Sequence, residues 1–283
     1  MPAHFEGMLQ QHFDEASFFA DIRPATMAQP HLTVNDLATF DIRIESNVDG
    51  LVVSGDSAWG FCASQWNESD LGGLTVMFMV ALALEKFDYL EEKLGGGDSQ
   101  AVARIAFSEA LAWQEISRLD EVARELVDRR SMDIAQPLYR ARLRHRALDP
   151  AIVERHLNGD AQEMLNLSLR CVGELGHRAL LPHCHQHLRS DKEEARFWAA
   201  WSAVLIGDHA AAEFLKPFVF AGSPNGYTAI YLAPRALVPE NCRAWLRELA
   251  QDKSTRRLAL IGCGIAGDPM YVPTLIHQMK IPE

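Results

Sequence analysis

The chain has 283 residues, 48% of them apolar, and carries 38 acidic against 27 basic side chains for a formal charge of −11. The acid surplus argues against nonspecific nucleic-acid binding, and the apolar fraction is that of an ordinary globular protein. The five cysteines are odd in number and scattered, which excludes a disulfide framework and suits small buried hydrophobes in a reducing compartment.

The opening HFEGMLQQHFDEASFF has acids where a secretory leader needs a basic and then an apolar run, so a cytoplasmic location is expected. Residues 1 to about 30 read as one amphipathic helix with an irregular tail ending near Pro30. The next segment, 32–50, places Leu37, Phe40, Ile44 and Val48 on one face and predicts a second helix. LVVSG (51–55) is read as a loop between helices, because no partner strand is evident. Leu71 to Leu84 is an apolar run of 14 residues between Asp70 and Glu85, too short to span a membrane and suited to a buried helix. FDYLEEKL and a glycine stop at 95–97 follow, closing a helical N-terminal region over 1–97.

From residue 98 to 283 the chain reads as an array of helix pairs. Val102, Ile105, Phe107, Leu111 and Trp113 mark one helix, with Leu119, Val122 and Leu126 on its partner. Ile134, Leu138 and Leu143, then Ile152, Val153 and Leu157, mark the next pair. After Asp160 the pattern becomes a sequence repeat. DAQEMLNLSLRCVGELGHRALLPHCHQHL (160–188) aligns without gaps on DKEEARFWAAWSAVLIGDHAAAEFLKPFV (191–219), and a further copy sixty residues on places Leu258 on Trp198 and Gly267 on Gly207. The clearest copies are 160–190, 191–221, 222–252 and 253–283. A fixed period near 30 with helical spacing inside predicts a HEAT-type α-solenoid of stacked antiparallel helix pairs, all-α.

Each copy has the same punctuation. Asp160 with Glu163, and Asp191 with Glu194, predict N-caps for the first helix. Leu167, Cys171 and Leu175, then Trp198, Ser202 and Ile206, give its inner stripe. Gly176, Gly207 and Gly267 end it, since glycine takes the left-handed backbone at little cost. Pro182 and Pro273 open the second helix. The copy at 222–252 is irregular, because Pro234 falls inside its first helix and predicts a kinked or shortened one.

The runs RFWAAWSAVLIGD (196–208), VGELG (172–176) with its following LLP, and LATFDIRIESNVDGLVVSG (37–55) resemble a family of uncharacterised bacterial proteins that carry HEAT-like repeats. The resemblance spans nearly the whole chain. No polar cap of the kind that closes a solenoid is visible at 279–283, so a fragment or a partner-covered end is expected, and members of the family are longer and continue into further repeats, which implies the fragment. Some of their genes lie in type VI secretion loci, which implies a cytoplasmic accessory or adaptor role. No catalytic residues come with the family.

Four groups of residues could carry chemistry. HCHQH (183–187) sets His183 and His187 one turn apart, a candidate metal pair, with His177 nearby; the ordinary reading is a solvated helix face. The di-iron hydroxylases built on HEAT-like repeats use His-Glu dipeptides, and this sequence has none. GCGIAG (262–267) matches a dinucleotide-binding fingerprint, yet only 16 residues follow it and it aligns with a repeat helix. Arg129, Arg130, Arg140, Arg142, Arg144 and Arg146 form a basic stretch that could meet phosphates, though alternating positions spread around a helix. Phe197 aligns with Asn166 and Arg257, polar positions, and is a candidate exposed protein contact; Trp198 and Trp201 align with core positions. No nucleophile–base motif and no cofactor signature stands out. The expected function is therefore a noncatalytic protein-binding scaffold. A metal-dependent enzyme using His177–His187 and a nucleic-acid-binding array are the alternatives.

Overall fold

The computed structural model describes residues 3–27, 29, 31–95, 101–127, 134–220 and 224–280. The protein is all-α, with seventeen α-helices and no strand among the described residues. Its contacts divide it into two compact units, 1–147 and 148–283.

The first unit holds α1 (Ala3–Met27), α2 (Val34–Val53), α3 (Gly55–Ser64), α4 (Leu71–Ala83), α5 (Phe87–Leu94), α6 (Ala101–Ala112), α7 (Ile116–Val127) and α8 (Ala135–Arg144). It is organised around α4, whose residues from Gly72 to Leu82 are all buried. A helix apolar on every side must be surrounded, and α4 packs against α1, α2, α3, α5 and α6. Asp70 caps it by accepting a hydrogen bond from the Gly73 N–H at 2.9 Å. A β-carbon at Gly72 would strike the Ser17 carbonyl, so glycine there lets α1 and α4 cross at close range. Phe78 lies edge-on to both Phe107 and Trp66 at 5.4 and 6.2 Å.

LVVSG is not a loop. Helix α2 continues through Val53, turns at Ser54, and α3 starts at Gly55 with φ +60°. Leu51 is fully buried, and this apolar contact carries the helix past the point where the sequence pattern fades. Asp98, where the array was expected to begin, lies outside the described residues. Helix α6 packs on α4 and α8 on α6, so 101–144 belongs to the first compact unit.

The second unit holds α9 (Pro150–Leu157), α10 (Gln162–Leu175), α11 (Leu181–His187), α12 (Glu193–Leu205), α13 (Lys216–Phe220), α14 (Gly226–Ala236), α15 (Pro239–Gln251), α16 (Arg256–Ala266) and α17 (Val272–Gln278). Here alternate helices are laid side by side: α10 on α12, α12 on α14, and α14 on α16, with α11 and α15 packed against α12 and α16. The local geometry recurs in register. Gly176, Gly207 and Gly267 have φ of +72°, +107° and +65°. After each glycine comes a 3₁₀ turn, at Arg178–Leu180, His209–Leu215 and Pro269–Tyr271. These turns start 31 and 60 residues apart, as the sequence repeat requires. Asp208 and Asp268 hold two of them, accepting from the N–H of Ala210 and Met270 at 3.2 and 3.1 Å.

One detail differs from the sequence reading. Asp160 and Asp191 are not N-caps: α10 and α12 start at Gln162 and Glu193, behind Ala161 and Lys192, with no side-chain cap bond. Glu163 and Glu194 still lie in the first turn, where they favour the positive end of the helix dipole. Pro234 lies in a shortened helix, as its place in the repeat predicts. It sits in the last turn of α14, which ends two residues later at 11 residues against 14 for α10.

Small residues set the spacing of these helices. A β-carbon on Gly173 of α10 would fall 2.6–2.9 Å from Ser202 of α12, including its Cα. The Ser202 hydroxyl donates to the Leu169 carbonyl at 2.6 Å across the same contact. Such close approach places backbone near backbone and leaves the polar hydroxyl satisfied inside the seam.

Candidate interaction surface

Helix α12 has its broad apolar side turned inward, with Ala195, Phe197, Ala199, Ala200, Ser202, Ala203 and Val204 buried. Phe197 is therefore not an exposed contact: its exposure is 0%, and it packs on Trp198 and Phe218 at 4.9 and 5.1 Å. The sequence comparison misplaced it because polar does not mean exposed at this position. Its counterpart Asn166 is itself buried, satisfied by Gln162 and Glu194 at 2.9 Å each. Trp198 and Trp201, expected in the core, are only half-buried. They meet edge-to-face at 5.4 Å, and the Arg170 guanidinium lies 5.1 Å from the Trp198 ring.

The neighbouring α14 carries Tyr227, Tyr231 and Arg235 at four-residue spacing, hence on one face. The two tyrosines are 51% and 50% exposed. Aromatic residues at this exposure on adjacent helices are the surface composition found at the centres of protein interfaces. The sequence signal was present in the spacing of 227, 231 and 235, but Pro234 and the irregular copy obscured it.

Arg235 also lines a cavity of about 510 Å³ bounded by the end of α14, the start of α15 and the turn after α16. Within it Arg243 grips Asp268, with Nε and one terminal nitrogen at 2.7 and 2.6 Å from the same carboxylate oxygen. Hydrogen bonds from the Met270 N–H and from Arg243 hold the Asp268 carboxyl below its ordinary value. Burial raises the Cys242 thiol, and the Cys263 thiol is pushed up to about 11 by burial and by Cys242. Neither thiol is a ready nucleophile. A smaller cavity of about 280 Å³ in the first unit is lined by Arg23, Glu109, Trp113 and Arg144. There both guanidiniums are engaged, Arg23 by Asp41 and Arg144 by Glu109, each at 2.5 Å. That network pins α1 to α2 and α6 to α8.

The histidines of α11 diverge. His183 faces Glu154 of α9 at 3.4 Å, and its buried Nδ1 has no partner among the described residues. His185 meets Asp208 at 2.8 Å. Burial, and secondarily His183, holds His187 below the ordinary imidazole value of 6.5. Cys184 points inward, its thiol pushed up to about 12 by burial. Among the described residues no group of three or more His, Cys, Asp or Glu stands close enough to hold a metal ion.

In the arginine stretch, Arg142 meets Asp120 at 2.8 Å and Arg144 meets Glu109. Arg129 and Arg130 lie outside the described residues. GCGIAG forms the end of α16 and its left-handed stop at Gly267, with no strand before it. Among the described residues no helix is long and apolar enough to cross a membrane. No family model, curated protein or solved structure matches the chain.

Proposed function

We propose that residues 148–283 are a HEAT-like helical array and that the protein is a noncatalytic scaffold for a protein partner. The observation carrying this reading is the recurrence, at offsets of 31 and 60, of helix, left-handed glycine and 3₁₀ turn. Units of this kind bury little alone and lay out a long surface when stacked. The half-buried Trp198 and Trp201 on α12, and the exposed Tyr227 and Tyr231 on α14, are rigid aromatic anchors for such a surface. A partner is held there by many modest contacts rather than by chemistry at one centre. An accessory role beside a secretion machine of type VI fits this reading and the family resemblance.

The test is in-cell crosslinking of the full chain followed by mass spectrometry. A partner crosslinked to α10, α12 and α14, and lost on Trp201→Ala with Tyr231→Ala, supports the scaffold. Absence of any crosslinked partner, or capture indifferent to the double variant, overturns it. Circular dichroism of the variant separates lost contact from lost folding.

A further inference from the structure

The cavity at the end of α14 differs from the one in the first unit in the state of its arginines. Arg235 makes no hydrogen bond or ion pair among the described residues, and it is the exposed residue of the last turn of its helix, beside buried Ala233 and Pro234. Arg243 is partly used by Asp268, whose second carboxylate oxygen is occupied by the Met270 N–H. Asp268 is thereby balanced. Glu240 acts on Arg243 as well, so the uncompensated positive charge at the mouth belongs to Arg235. The remaining wall joins the apolar Leu237, Ile265, Pro239 and Cys242 to Tyr271, whose buried hydroxyl has no partner among the described residues. Three wall residues, Pro234, Pro239 and Pro269, have no N–H, which leaves the guanidiniums and the Tyr271 hydroxyl as the principal donors for an anion.

A carboxylate belongs over such a pair of guanidiniums, and an apolar group belongs in the space behind it. Tyr227 and Tyr231 lead along α14 to Arg235 from one side, four residues apart, and give an extended chain a surface to lie on before it reaches the cavity. A chain that arrives along the tyrosines and ends in a carboxylate beside an apolar side chain matches all three features.

Resting on the scaffold reading, we propose that this cavity captures the free C-terminus of the partner polypeptide. The terminal carboxylate lies on Arg235 and Arg243, the last side chain is apolar and fills the cavity, and the preceding residues run over Tyr231 and Tyr227. An internal aspartate or glutamate is a poorer match, since the chain would have to leave again past the proline wall.

The experiment passes two peptide pools over the immobilised full chain. Both carry a common soluble leader and four randomised terminal residues; one ends in a free acid and the other in an amide. The free-acid pool is expected to enrich peptides ending in Leu, Ile, Val or Phe. The best of these should lose at least tenfold in affinity when amidated, and a similar factor with Arg235→Gln. Arg243→Gln disturbs the Asp268 turn, so Arg235→Gln is the cleaner variant, and Tyr231→Ala should weaken binding by a smaller factor. No enrichment above the amide pool overturns the proposal, as does undiminished affinity in Arg235→Gln. If the crosslinked partner is captured equally well by Arg235→Gln, this inference falls and the scaffold stands. If the unaltered protein captures no partner, the scaffold reading falls.

Discussion

The two units solve the same problem, burying apolar helix faces, in different ways. Residues 1–147 carry 23 acids against 13 bases, and residues 148–283 carry 15 against 14, so nearly all of the chain's negative charge lies in the first unit. That unit gathers helices of unequal length around one fully apolar helix, α4. The second has no such hub. Its buried residues are shared among successive neighbours, each helix covering the next. A hub concentrates stability in a few residues, whereas a row distributes it over repeated seams.

The largest expected effect tests the hub. Phe78 is fully buried between Phe107 and Trp66, so Phe78→Ala should cost about 3–5 kcal/mol. Hydrogen exchange should report the loss over α1–α8 and leave α10–α16 unchanged; equal loss in both units would erase the contrast. Phe197→Ala is the counterpart in the row, also a fully buried ring, with an expected loss of about 3–5 kcal/mol. Its exchange should quicken in α12 and in the helices beside it rather than throughout the molecule. A denaturant midpoint unchanged by Phe197→Ala would restore the exposed-contact reading.

A smaller effect probes a single seam. Gly173→Ala places a methyl against the Cα and side chain of Ser202, and the neighbour cannot swing away because backbone is involved. Overpacking of this kind costs about 1–3 kcal/mol and outweighs the helix-propensity gain of about 1 kcal/mol. Chemical denaturation measures it, and a variant as stable as the parent would mean that α10 and α12 are not in close contact.

The parts legible in the sequence are those set by local chemistry. Left-handed glycine and second-helix proline depend on a few neighbouring residues, and Gly176, Gly267, Pro182 and Pro273 lie where the spacing placed them. The wholly apolar run at 71–84 was likewise a buried helix. What failed depended on neighbours distant in sequence. Phe197 and Trp198 exchanged places because a helix flanked on both sides has a wide buried arc, within which one position cannot be ranked against the next. Asn166 looked like a surface residue because its partner Glu194 is 28 residues away. The aromatic and arginine face of α14 was hidden because its copy is the least regular of the four.

Charge gives a further contrast, since seven of the eleven histidines fall in 148–283. Burial is the chief cause holding His156 and His187 below the ordinary 6.5, with Arg155 and His183 adding to it. The folded form thus favours neutral imidazole. As pH falls through about 6.5 the unfolded chain binds protons first, so stability present above that pH is lost toward the lower folded values. Denaturant midpoints of the second unit should drop between pH 7.5 and 5.5, and His187→Gln should flatten the drop. A slope unchanged in His187→Gln would assign it elsewhere.

The smallest predicted effect has the opposite sign. Gly264 occupies in α16 the repeat position that Gly173 occupies in α10, 31 and then 60 residues on. A β-carbon there meets nothing within 4 Å, and the residue is exposed. Without a neighbour to resist the methyl, only helix propensity acts, and Gly264→Ala should stabilise by about 0.5–1 kcal/mol. The same substitution at equivalent positions of one repeat then differs in sign for a single reason: α12 packs on α10, and no described helix packs on that side of α16. Thermal melts at several protein concentrations decide it. If Gly264→Ala destabilises, as Gly173→Ala should, another surface lies against α16 in solution, and dependence of that loss on concentration would identify it as a second copy of the chain.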